Sequence, residues 1–382
     1  MYSKKEMLAN LYNSLADTLN ISKSKQTDAI NSYEAVGRFL GSIDEKYEIA
    51  VAPQGSFSLG TVIKPLSDED GEYDIDLICL IKNGYLMDSK AIKLLIGNHL
   101  KGSTRYAPML ENKEGRRCWK LQYSEFHMDI LPSVPKEKNL INSKEIRITH
   151  KIDNNNYERR YSNPYAYQIW FKSQMKDIFQ RGAYDYSVKN AVEIDQVETF
   201  RVRTPLQKSI QLLKRHKDII FKEDDENAPI SIIITTLAAH AYNGENNLYN
   251  ALETILNGME KHIIKDTTGK YFICNPVMNE ENFADKWEVV PEKADAFFAW
   301  LLKAKKDILE NPLKVIGFDK LAENLSPVFG KSMTERAFEG MAKETRESGI
   351  NNNLYVDTLN GGLTTEKNHS SVNVPPHNFF GV

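Results

Sequence analysis

Apolar and polar positions first alternate along this chain with a helical period. Between residues 22 and 42, Ile30, Tyr33, Val36 and Leu40 recur at helical spacing, and Gly41-Ser42 closes the run. The spacing predicts a long amphipathic helix. Glu48 to Pro53 then predicts a short strand leading into a Gly-Ser turn, and Leu66 to Gly71 an acidic, turn-rich linker. Asp74 to Ile81 is almost continuously apolar after its two acids, which predicts a strand central in its sheet. Residues 116 to 131 alternate and predict one or two more strands, with Asp129 closing the last before Pro132.

The pattern changes near residue 200. Thr204-Pro205-Leu206-Gln207 combines a capping box with Pro at the first helical position. The helix it opens carries Leu206, Ile210, Leu213 and Ile220 on one side, together with the basic run Lys214-Arg215-His216-Lys217. Pro229 to Tyr242 is apolar nearly all round, which predicts a buried helix. Residues 292 to 309 and 332 to 347 predict further amphipathic helices. From Ser348 onward core residues thin out, and a flexible tail is expected.

Composition narrows the function classes. A length of 382 residues suggests two domains or three. Net charge is −3, so the surface as a whole is no nucleic-acid magnet. The three cysteines are far apart and match no zinc spacing; Cys79, inside an apolar strand, reads as a small core residue. No signal-type run or charge-free span of membrane length is evident, so a cytoplasmic protein is expected.

The candidate chemistry begins at Gly55-Ser56 and Gly60-Thr61. Glycine lets backbone amides approach a phosphate closely, and the Ser56 hydroxyl can donate to it. Asp74 and Asp76 follow, two residues apart on a strand and so on one face. Paired carboxylates repel unless a cation lies between them, and Mg²⁺ is the natural one beside substrate phosphates. Asp129, from a later strand, would supply a third carboxylate for a two-metal site. Lys214 flanks an apolar stripe and could reach phosphates, although a single lysine in a basic run is more often a solvated charge. Ser231 could donate to a nucleotide or simply cap its helix. His127 shares the parity of Asp129 and reads as a satisfied core histidine.

At these residues the chain resembles the nucleotidyltransferase superfamily with the polymerase-β-like core, and more closely the bacterial cGAS/DncV-like nucleotidyltransferases of CBASS antiphage defence. Gln54 to Thr61 with Tyr73-Asp74-Ile75-Asp76-Leu77 carries the active-site likeness. Pro205 to His216 with Ile230 to Tyr242, and Asn275-Pro276-Val277 with Glu281 to Trp287, carry the rest. The resemblance implies an α/β (α+β) fold with a mixed sheet, a long N-terminal spine helix and an α-helical C-terminal lobe. It implies a catalytic lobe over residues 1–200, a nucleotide-binding helical lobe over 201–347, a tail over 348–382, and a nucleotide cleft. Asp74, Asp76 and Asp129 would hold two Mg²⁺ or Mn²⁺ ions. Gly55, Ser56 and Thr61 would contact donor phosphate, and Lys214 and Ser231 a nucleotide. The implied product is a cyclic di- or trinucleotide made from ATP and GTP, with cyclic GMP–AMP favoured, which would act on a separate cyclic-nucleotide-responsive effector.

No zinc-ligand cluster or basic platform accompanies these motifs, so activation by double-stranded DNA is not expected. The terminal Phe379-Phe380-Gly381-Val382 resembles an end joined to a target by a ubiquitin-transfer-like partner, although Val382 follows the glycine. Two other functions stay open: a nucleotidyltransferase acting on RNA or protein, which the acidic balance disfavours for RNA, and an inactive scaffold working through its tail, which three retained acids disfavour.

Overall fold

A computed structural model describes residues 4–66, 73–138, 144–153, 155–190, 202–357, 363–364, 367 and 369–374. Phe379, Phe380 and Gly381 lie outside the described residues, as does most of the expected linker. The chain forms two compact units that do not follow sequence order. One comprises residues 20–203 and 263–289; the other takes residues up to Leu19, Thr204–His262, and the chain from Val290 onward. The units change over between Arg203 and Thr204, while the first 19 residues group with the helical unit and 263–289 with the sheet unit.

The sheet unit is built on strands β1 (Ile49–Gln54), β2 (Tyr73–Ile81), β3 (Trp119–Gln122), β4 (Phe126–Pro135), β5 (Ile146–Lys151) and β6 (Tyr157–Ser162). Their order is β1-β2-β4-β5-β6, with β3 also paired to β4. Only the β2–β4 pairing is parallel, so the sheet is mixed. Ile75, Leu77, Cys79 and Ile81 point to one face and are fully buried. They pack with Val36 and Leu40 of α2 (Lys23–Gly41) and Ile92, Ile96 and Leu100 of α4 (Ser89–Lys101). Each such side chain contributes about 1.5–3 kcal/mol of burial. Cys79 is the core residue expected, and burial pushes its thiol up to about 12. The helix α3 (Gly55–Leu59) follows β1, and α5 (Pro164–Ser173) and α6 (Lys176–Asn190) follow β6.

β4 corrects one expectation: Asp129 does not close its strand, which runs on to Pro135. Pro132 is tolerated because it falls between the two partners on that side, β3 pairing with residues 127–130 and β5 with 133–135. No ladder donor is needed at the gap. Residues 263–289 add the short strands β7 (Ile264–Lys265), β8 (Tyr271–Phe272), β9 (Cys274–Asn275) and β10 (Met278–Asn282). Glu281 ties this segment to β6: it accepts from Ser162 Oγ at 3.0 Å and from Asn275 Nδ2 at 2.8 Å.

The helical unit contains α1 (Lys4–Thr18), α7 (Pro205–Ile220), α8 (Ser231–Ala241), α9 (Leu248–Gly258), α10 (Glu292–Ala304), α11 (Asn311–Lys314), α12 (Phe318–Phe329) and α13 (Lys331–Ile350). The capping box forms as expected: Thr204 Oγ1 accepts from Gln207 N–H at 3.3 Å, and Gln207 Oε1 from Thr204 N–H at 2.9 Å. α10 does not continue regularly to residue 309. Lys305–Glu310 is a π-helical turn, wider than an α-turn. Two tyrosines donate to its carbonyls. Tyr12 of α1 donates to the Ile308 carbonyl and Tyr249 of α9 to that of Leu309. Asp307 in the same turn accepts from buried His216 of α7 at 3.2 Å and pairs with Lys303 at 2.9 Å. Tyr12→Phe is expected to lower the unfolding free energy by about 1–2 kcal/mol, since it removes a buried hydrogen bond. Urea unfolding followed by circular dichroism measures this, and a change under about 0.3 kcal/mol would mean the bond contributes nothing.

After α13 the chain was expected to be a flexible tail. Its described part instead pairs β11 (Tyr355–Asp357) with β12 (Leu363–Thr364) and β13 (Ser371–Asn373). Tyr355 and Val356 supply the β-favouring residues there, which the surrounding Asn, Gly and Thr obscure in a composition reading. Among the described residues no helix is long and apolar enough to cross a membrane.

Candidate active site

The face of the sheet opposite α2 and α4 carries the acids. In β2 every second residue is buried, so Asp74 is left exposed and Asp76 half-buried. Parallel pairing sets Asp76 opposite Asp129 and Asp74 opposite His127. Residues paired in this way share a face, with side chains roughly 5 Å apart at the Cβ atoms. The structure thus brings all three predicted carboxylates to one face at adjacent register positions. His127 stands on it too, half-buried.

The Gly-Ser turn reaches the same place by a different route. β1 pairs antiparallel with β2, which puts Gln54 opposite Asp76. The chain then turns into α3 through Gly55, whose φ is +60°. Only glycine takes this conformation without strain. It also leaves no room for a side chain, because a Cβ at Gly55 would lie 2.1 Å from Asp76 Oδ2. Ser56 is the second residue of α3, half-buried, and the fully buried Thr61 donates its N–H to the Ser56 carbonyl at 2.9 Å. The turn and the acids are therefore one assembly within the sheet unit. Lys214 and Ser231, in contrast, belong to the helical unit, on α7 and at the first position of α8. Lys214 is only 7 % exposed, so it is not the solvated charge that a basic run suggests.

Sequence reasoning missed Lys120. It lies on β3 directly opposite Asp129, and its Nζ is 3.8 Å from Asp129 Oδ1. That oxygen is buried and has no hydrogen-bond partner. Burial pushes the Asp129 carboxyl above its ordinary range; the Lys120 ammonium opposes the shift and the Asp74 charge adds to it. The alternation of 116–131 placed a strand there, but the register that pairs Lys120 with Asp129 is a tertiary fact.

The donor set fits a hard divalent cation. It is all carboxylate oxygen, one oxygen is buried and lacks a hydrogen bond, and the absent side chain of Gly55 lets the turn lie directly against the Asp76 carboxylate. The acids are not gathered: among the described residues no three His, Cys, Asp or Glu side chains stand together as a ligand group.

The chain has recognisable relatives. The Second Messenger Oligonucleotide or Dinucleotide Synthetase domain matches residues 7–174. A c-di-GMP synthase of Roseivirga ehrenbergii is 28% identical over 396 aligned residues, covering 99% of this chain and 98% of that protein. The cyclic dinucleotide synthase CdnG of Bradyrhizobium diazoefficiens is 23% identical over 298 residues, covering 72% of this chain and 68% of that one. The structure of the same CdnG in complex with GTP superposes with a TM-score of 0.68 at 20% identity, covering 88% of this chain and 99% of that chain. E. coli CdnC with ATP gives 0.60 at 14% identity, covering 85% and 98%. These likenesses show a common fold, the polymerase-β-like one expected.

Proposed function

We propose that the chain is a nucleotidyltransferase of the cGAS/DncV-like kind and a cyclic dinucleotide synthase that joins two purine nucleotides with release of pyrophosphate. The observation that carries this is the register of Asp76 with Asp129, closed on one side by Gly55. Similarity to a c-di-GMP synthase over 99% of the chain supports GTP as substrate and cyclic di-GMP as product. The mixed product cyclic GMP–AMP, expected from the resemblance, is the competing outcome of the same assay.

Each of the two steps has the same chemistry. A ribose hydroxyl oxygen attacks the α-phosphorus, the bond from that phosphorus to the bridging oxygen of pyrophosphate breaks, and the hydroxyl proton leaves. The first step gives a linear dinucleotide, and the second closes the ring. Asp74, Asp76 and Asp129 would hold two Mg²⁺ or Mn²⁺ ions. Bound there, these would neutralise phosphate charge and lower the acidity barrier of the attacking hydroxyl. Asp129, partly desolvated, would orient that hydroxyl and take its proton. Gly55 and Ser56 would present backbone and hydroxyl donors to the donor triphosphate. Thr61 braces their turn from inside. Lys214 and Ser231 would contribute nucleotide contacts from α7 and α8. A cyclic-nucleotide-responsive effector, and a conjugating partner at the tail, complete the antiphage signalling role that the family suggests.

The test is incubation of the purified chain with all four NTPs and Mg²⁺ or Mn²⁺, followed by phosphatase and mass spectrometry. A phosphatase-resistant dinucleotide supports the proposal, and its mass gives the bases. Nucleotide addition to RNA or protein, with no small product, would overturn it.

A further inference from the structure

Asp129 already has a cation beside it. Lys120 is its register partner across the β3–β4 pair, 3.8 Å away at the nearest atoms. Lys120 is half-buried like Asp129, with side-chain exposures of 32% and 25%. The other charges acting on Asp129 include Asp74 and Glu111, both of which add to the negative potential there. The facing oxygen of Asp129 makes no hydrogen bond, so its interaction with Lys120 is one of charge and does not lock the geometry. The Lys120 backbone is meanwhile held, its carbonyl accepting from Glu111 N–H at 3.0 Å. β3 is itself gripped by α4. Lys93 Nζ donates to the Cys118 carbonyl at 3.0 Å, and Trp119 Nε1 returns a bond to the Lys93 carbonyl at 2.9 Å. Lys120 is thus a cation on a fixed strand, next to a carboxylate that is not held in place by a hydrogen bond.

We propose that Lys120 is the resident counter-ion of the carboxylate site, so that a divalent metal binds by drawing Asp129 away from Lys120 toward Asp76. This rests on the reading of the three acids as metal ligands. The lysine lowers the repulsion of the empty site and weakens metal binding by competing for Asp129. It is a positioning residue, acting through the carboxylate.

The test uses Mn²⁺ alone as probe on the full chain, titrated by the electron paramagnetic resonance of the free ion, with thermal melts beside it. Lys120→Met is expected to bind Mn²⁺ about tenfold more tightly than the unmodified chain at low salt. That is the effect of removing one unit charge roughly 6 Å from a dication in a water-like dielectric. Lys120→Arg, which keeps the charge, should stay within about twofold of the unmodified chain on the same reasoning. Without metal, Lys120→Met should melt lower than the unmodified chain, and saturating Mn²⁺ should close the gap. Unchanged or weaker Mn²⁺ binding by Lys120→Met, or a melting deficit equal with and without metal, overturns the proposal. If the unmodified chain binds Mn²⁺ no better than Asp76→Asn, the metal reading itself fails and the role of Lys120 with it. Normal binding by the unmodified chain with no change in Lys120→Met removes only the latter.

Discussion

Asp76→Asn is expected to abolish dinucleotide synthesis, by about a thousandfold or more, while the protein stays folded. The substitution keeps the shape of the side chain and removes its charge. Asp76 sits where three elements meet: it pairs with Gln54 on β1 and Asp129 on β4, and it packs against the Gly55 turn. A neutral amide there cannot neutralise a dication, and it presents N–H donors where oxygen ligands are needed. Losses of this size follow when the charge stabilising a phosphoryl transition state is removed. Half-buried Asp76 also lies near other acids, so losing its charge should not unfold the strand. Product by mass spectrometry and a thermal melt, run together, check both halves. Turnover within tenfold of the unmodified chain would end the assignment of Asp76 as a ligand.

Gly55→Ala is expected to cost about a hundredfold in turnover, through geometry and without touching a charge. An alanine Cβ would lie 2.1 Å from Asp76 Oδ2 and 2.9 Å from its Cγ, so the carboxylate or the turn must move. A displacement of about 1 Å at a reacting centre is enough for a loss of that order. The +60° φ adds a strain of about 1–2 kcal/mol for any residue with a side chain. Gly244→Ala is the control. Gly244 also has a positive φ, +79°, but nothing lies within 4 Å of its Cβ position. It should show the strain as a lower melting temperature and leave turnover unchanged. If both variants lose turnover alike, the Gly55–Asp76 contact is not what matters.

Much of the site was legible because its parts are local. Two acids two apart on an apolar strand must share a face, and the Gly-Ser turn lies on the strand before them, which pairs with theirs. What was not legible depends on register. Nothing in residues 116–131 says that Lys120 stands opposite Asp129, or that the strand bearing Asp129 continues past Pro132, because both follow from where β3 stops and β5 begins. The helix α1 carried a readable signal that went unused: Leu8, Leu11, Tyr12 and Leu15 recur at helical spacing and are all fully buried. The allocation of residues to units was beyond any local pattern, since α1 and residues 263–289 join partners remote in sequence. The π-turn at Lys305–Glu310, whose carbonyls accept from Tyr12 and Tyr249 of remote helices, is equally silent.

That remote allocation bears on the order in which the protein can be made. The chain passes between its units four times, after residues 19, 203, 262 and 289. α1 is made well before its partners, for its apolar stripe belongs against α7, α9 and α13, and α7 begins only at Pro205. During synthesis the sheet unit has most of its strands available early, whereas α1 must keep Leu8, Leu11 and Leu15 in solvent for nearly two hundred residues of elongation. Final docking of α1 is therefore a late event, closing a long loop whose entropic cost rises only slowly with length. A nascent chain of this kind offers chaperones an exposed apolar helix until α7, α9 and α13 have been made.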